Sequence, residues 1–113
     1  GTPWQPRTQG AVLFLEDVGE RPYRVDRLLT QLDHAGLFDD LAGVVIGDMV
    51  GCDDGDALSW RYAVDRCFRR KPIPVLAGVS FGHAVPNLPI PLGTEVQLDA
   101  GAGWLKFREG PLV

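Results

Sequence analysis

The chain has 113 residues, 45% of them apolar, which is enough for one domain with a core of its own. Eleven Lys and Arg stand against 15 Asp and Glu, and the net charge of −4 argues against a nucleic-acid partner, which calls for a basic face. No apolar run nears the ~20 residues of a membrane span, so no membrane partner is expected either.

Residues 1–10 read as an extended lead-in, because Pro3 and Pro6 disfavour helix in themselves and in the residues before them. The chain opens without Met on Gly1-Thr2-Pro3, and the expectation is a piece of a longer protein whose targeting signals lie elsewhere. No signal peptide is read in Gly1 to Gly10, which lacks a basic start and an apolar stretch. Ala11 to Leu15 is a continuous apolar run, the pattern of a strand buried on both faces, and it stops at Glu16-Asp17. A helix is predicted from Pro22 to Ala35, with Val25, Leu28, Leu29 and Leu32 as its apolar stripe. Pro22 suits its first turn, and Gly36 the position past its end.

Gly43 to Ile46 is a second strand, closed by Gly47-Asp48. After the acidic loop 51–56, Asp56 caps a second helix running to Arg70, with Trp60, Val64, Cys67 and Phe68 as its stripe. Arg66, Arg69, Arg70 and Lys71 crowd its C-terminal end, where positive charge complements the helix dipole. Pro74 to Val79 is a third strand, and Ser80 to Gly93 a loop held extended by Pro86, Pro89 and Pro91. Alternation in 94–98 and in 104–107 marks an antiparallel hairpin. The order β-α-β-α-β plus hairpin defines an α/β domain with a mainly parallel sheet, the hairpin lying at its edge or forming a second small sheet.

In a parallel sheet, ligands bind beyond the C-terminal ends of the strands. Here those ends carry Glu16-Asp17, Asp48 and Ser80 to His83. An acid that orients an imidazole, which in turn takes a proton from a nucleophile, needs such convergence. A structural reading stands beside it: His83 as a loop hydrogen-bonder, and Glu16 as a partner for Arg21, Arg24 or Arg27. Cys52 and Cys67 are read as idle thiols of a reducing compartment, and with only His34 and His83 beside them no metal site and no cofactor are expected.

The segment Leu13 to Leu29 (LFLEDVGERPYRVDRLL) closely resembles the acid-bearing segment of bacterial LD-carboxypeptidases. Gly43 to Asp48 is similar to that family's central strand. Pro74 to Gly78, Phe81-Gly82-His83 and Pro86 to Gly93 are similar to its histidine segment. The resemblance implies a two-domain serine peptidase with a Ser-Glu-His triad. Its Glu maps onto Glu16 rather than Glu20, and its His onto His83, both on a small swivelling β/β/α C-terminal domain spanning 11–113. Residues 1–10 map onto the linker from an N-terminal domain that carries the nucleophile. The motif of that serine is absent: the only serines are Ser59 and Ser80, and neither matches a nucleophile position. Asp17 and Asp48 are secondary candidates for shaping the site.

The implied reaction is release of terminal D-alanine from murein tetrapeptide in cytoplasmic cell-wall recycling, with no activity expected of this chain alone. The implied partners are its own N-terminal domain, the murein tetrapeptide and a second copy in a homodimer. Hydrolysis of a peptidyl-nucleotide, as in microcin C self-immunity proteins, is the alternative within the same class. A binding or assembly module with His83 and Glu16 inert is the alternative outside it.

Overall fold

The computed structural model describes residues 2–55 and 59–108. Seven elements follow in chain order: β1 (Val12–Val18), α1 (Pro22–His34), β2 (Gly43–Val50), α2 (Trp60–Phe68), β3 (Val75–Ala77), β4 (Val96–Asp99) and β5 (Trp104–Phe107). The first three strands form a parallel sheet in the order β1-β2-β3, and β4 and β5 pair antiparallel as a separate sheet. Of the two placements open for the hairpin, the structure takes the second sheet.

Strand pairing sorts the side chains into two faces. Leu13 lies beside Val44 and Leu15 beside Ile46, and this face packs on Val25 and Leu29 of α1 and on Trp60, Ala63 and Phe68 of α2. Phe14 lies beside Val45 on the opposite face, where its ring stacks on Phe107 of β5, centroids 6.4 Å apart. Leu98 of β4 sits over Gly43 so closely that a Cβ there would come within 2.5 Å of its Cδ2. Hairpin, parallel sheet and helix pair therefore stack as β/β/α layers. Val44, Val45 and Ile46 at the middle of β2 are at most 1% exposed. Each such side chain contributes about 1.5–3 kcal/mol by leaving water.

The strand ends differ from the sequence expectation, β1 and β2 running longer and β3 shorter. β1 continues past Leu15 to Val18, and β2 past Ile46 to Val50, because Asp17 and Val18 still pair with Met49 and Val50. The pairing slips on the way. Leu15 faces Ile46 but Asp17 faces Met49, so Glu16 sits opposite the two residues Gly47 and Asp48 in a bulge. β3 is shorter than predicted: Gly78 takes φ +85° and leaves the sheet, its amide still donating to the Ile46 carbonyl.

α1 ends as its sequence requires. Gly36 adopts φ +72°, and the amides of Gly36 and Leu37 donate to the carbonyls of Asp33 and Leu32, a complete Schellman motif. Its stripe is not wholly buried: Leu28 is 42% exposed and lines an apolar cavity of about 290 Å³ between α1 and the sheet. α2 is capped by Ser59, whose hydroxyl accepts from the Arg61 amide; the expected cap, Asp56, lies outside the described residues. Arg66 and Lys71 do more than complement the α2 dipole. Arg66 forks onto Asp26 at 2.8 and 2.9 Å, and Lys71 reaches Asp33 at 2.7 Å, tying α2 and the turn after it to α1.

Candidate active site

Glu16 and His83 meet at the C-terminal edge of the parallel sheet. His83 Nδ1 lies 2.7 Å from Glu16 Oε2. A carboxylate oxygen accepts and offers no proton, so the hydrogen of this bond belongs to Nδ1 and the lone pair of the neutral ring to Nε2. The His83 side chain is 56% exposed and that of Glu16 29%, so the acid is the sheltered partner.

The extra residue of the bulge belongs to β2, and alternation along β1 sets Glu16 on the same face of the sheet as Phe14. Phe14 there meets Phe81 edge to face, centroids 5.5 Å apart, which fixes the start of the histidine loop. Gly47 makes room for it, since a Cβ at that position would lie 2.5 Å from the Phe81 carbonyl oxygen and 2.7 Å from its ring. Gly82 is required for a similar reason. It adopts φ +122°, and a Cβ on it would fall 2.7 Å from Glu16 Oε2, so only glycine lets the backbone pass the carboxylate.

Asp48 holds the loop from two sides. Its amide donates to the Phe81 carbonyl at 2.8 Å, and its Oδ2 accepts from the Ala84 amide at 3.3 Å. Asn87, which the sequence reading passed over, folds back on Gly82. It accepts from the Gly82 amide at 3.1 Å and donates to the Gly82 carbonyl at 2.9 Å. An Asn among prolines four residues past the histidine was the available signal, since Asn side chains close loops by bonding backbone. Asp17 takes the amide of Val18 at 2.8 Å, a local bond that leaves it out of the Glu16–His83 contact.

Glu20 is ion-paired with Arg24 at 2.6 Å, not with His83. Ser80 gives its carbonyl to the Leu88 amide, and Ser59 caps α2, so both serines have backbone duties. Cys52 is fully buried at the ends of β1 and β2, its thiol donating to the Asp17 and Val50 carbonyls at 3.6 Å. Burial pushes the thiols of Cys52 and Cys67 up, the direction of an inert group rather than a nucleophile. Around the histidine loop, Val85, Leu88 and Leu92 turn apolar side chains outward, Val85 being 97% exposed. Among the tryptophans, Trp4 and Trp104 are exposed, while Trp60 is buried in the core. Among the described residues, no helix is long and apolar enough to cross a membrane.

A sheet-end acid and imidazole thus meet on a β/β/α domain, and comparison with known proteins gives the family of the chain. Residues 1–98 match the family described as the LD-carboxypeptidase C-terminal domain, and the chain belongs to it. A Synechocystis sp. protein, a carboxypeptidase by provisional name, is 37% identical over 112 residues, covering 95% of this chain and 36% of its own length. The crystal structure of muramoyltetrapeptide carboxypeptidase from Oxalobacter formigenes aligns with TM-score 0.78 at 34% identity, over 95% of this chain and 39% of that one. The microcin C7 self-immunity protein MccF, solved with glutamyl sulfamoyl guanosine, aligns with TM-score 0.88 at 28% identity, over 100% of this chain and 34% of that one. The chain spans about a third of the length of the curated relatives it matches.

Proposed function

We propose that this chain supplies the base and the orienting acid of a Ser-Glu-His peptidase whose serine and oxyanion donors lie on a further, N-terminal domain joined through residues 1–10. The observation that carries this reading is the 2.7 Å bond between His83 Nδ1 and Glu16, because it leaves Nε2 as the free basic nitrogen on an exposed ring. The serine proton passes to Nε2 as its oxygen attacks the carbonyl carbon. The same proton then goes to the leaving amine as the C–N bond breaks. Glu16 fixes the tautomer and stabilises the imidazolium formed between these steps. Water repeats the sequence to free the acid and restore the serine.

The substrate is the terminal L-to-D peptide bond of murein tetrapeptide, and the product D-alanine, in cytoplasmic cell-wall recycling. Kinship with the Oxalobacter enzyme supports this choice. Outward apolar side chains at Val85, Leu88 and Leu92 support a covering domain beside the histidine. Without that domain the chain is expected to be silent. In the complete protein, Glu16→Gln is expected to lower kcat for D-alanine release by about 10⁴, the loss seen when a serine protease loses its orienting acid, and His83→Ala by a similar factor. An unchanged rate in either variant, or no release by the complete wild-type protein, refutes the reading.

The higher TM-score to MccF favours a second substrate class, a peptidyl-nucleotide. Competition between the two substrates at equal concentration reads the kcat/KM ratio and decides between them. Wild-type activity on neither substrate would leave the non-catalytic module as the reading.

A further inference from the structure

We propose that Asn87 is a positioning residue for His83, acting through Gly82, with Asp48 as its counterpart at Ala84 on the other side of His83 in the chain. The inference rests on His83 as the base but is decided by a readout that needs no activity. His83 is flanked by Gly82 and Ala84, and both neighbours are held. Asn87 bonds the amide and the carbonyl of Gly82, and Asp48 Oδ2 takes the Ala84 amide. The Leu88 amide closes the same loop on the Ser80 carbonyl at 2.8 Å. Peptide planes on either side of His83 are therefore fixed, which sets the direction of its Cα–Cβ bond.

This direction matters because His83 is the more exposed partner, 56% against 29%, so packing does less to aim its ring than to aim Glu16. A solvated imidazole on a free loop would spend little time on one carboxylate oxygen, since ordering it costs side-chain and backbone entropy. The Gly82 backbone lies against Glu16 itself, its missing Cβ 2.7 Å from Oε2. Whatever clamps Gly82 therefore sets the distance between acid and base. Asn87 does so with both halves of its amide, a donor and an acceptor on one residue, which neither Asp nor Ala reproduces.

The test uses the 113-residue chain labelled with ¹⁵N, in mildly alkaline solution where an ordinary imidazole is neutral. The wild-type His83 ring is expected to show a protonated Nδ1 and an unprotonated Nε2, and Glu16→Ala, which removes the acceptor, is expected to abolish that bias. Asn87→Ala and Asn87→Asp are each expected to move both ring shifts most of the way to the Glu16→Ala values, with amide spectra otherwise unchanged. Wild-type shifts in both Asn87 variants overturn the proposal, as does a wild-type ring already matching Glu16→Ala. Should the variants fail to fold, the unaltered chain still decides. Its Gly82 and Ala84 amides are expected to exchange about ten-fold or more slowly than in an unstructured peptide, and unprotected exchange at Gly82 overturns the clamp. A failed D-alanine assay with an intact tautomer bias would instead count against the peptidase reading alone.

Discussion

Two glycines, Gly47 and Gly82, make the Glu16–His83 contact possible, since neither position has room for a β-carbon. Gly82→Ala would push a methyl group to within 2.7 Å of Glu16 Oε2 from a backbone at φ +122°. If the chain serves the proposed peptidase, this substitution is expected to cut that enzyme's D-alanine release at least about 100-fold, the order of loss that a 1 Å misplacement produces. It should cost only about 1–3 kcal/mol of stability, read by urea denaturation, because the strain is confined to one exposed loop. Glu16 and His83 were legible in the sequence: strand-end position and resemblance both named them. Gly82, Gly47 and Asn87 were not. Their duties depend on which backbone passes within 3 Å of which side chain across the fold, and no local pattern encodes that distance. Asp48 was named as a neighbour, but its bond to Ala84 became visible only when the loop was placed.

Among the elements, the two helices are held to one another by charge as well as by their buried stripes. Hydrogen bonding to Asp33 raises the pKa of Lys71 above the ordinary lysine value of 10.5. A base whose pKa is higher in the folded than in the unfolded state stabilises the fold fully below its unfolded value. That contribution is lost as pH rises through the folded one. Lys71→Met is therefore expected to lower stability at neutral pH, and the deficit should shrink as pH climbs beyond 10.5, measured by denaturant midpoints across the alkaline range. A deficit independent of pH would show packing of the alkyl stem as the cause. Helix positions and stripes were legible because 3.6-residue spacing is a local property. The Ser59 cap and the exposure of Leu28 were not, since a cap depends on where the preceding loop enters and burial on what lies opposite. Strand ends failed for a related reason: pairing carried β1 and β2 past their apolar runs into residues that sequence reads as loop.

For the whole molecule, β-α-β-α-β and a hairpin were readable in order, while the residue pattern left the hairpin's layer open and the resemblance, with its β/β/α form, pointed to a second sheet. That layer was decided by Gly43, whose bare Cα admits Leu98, and by the stacking of Phe107 on Phe14. Phe107→Ala should strip that cover and cost about 1–3 kcal/mol in a urea titration, with the helix signal in circular dichroism retained in the folded variant. A cost near zero would mean that the hairpin rides on the sheet without supporting it.

The acid and the base are 67 residues apart in the chain, and β2 lies between their two elements, paired with both. Neither can find the other through local structure; closing so long a loop is worthwhile only once the central strand has recruited both neighbours. The imidazole is thus a gauge of the whole fold. Denaturation followed at the His83 ring should trace the same midpoint as denaturation followed by the helices, so that loss of the site and loss of the domain are a single event.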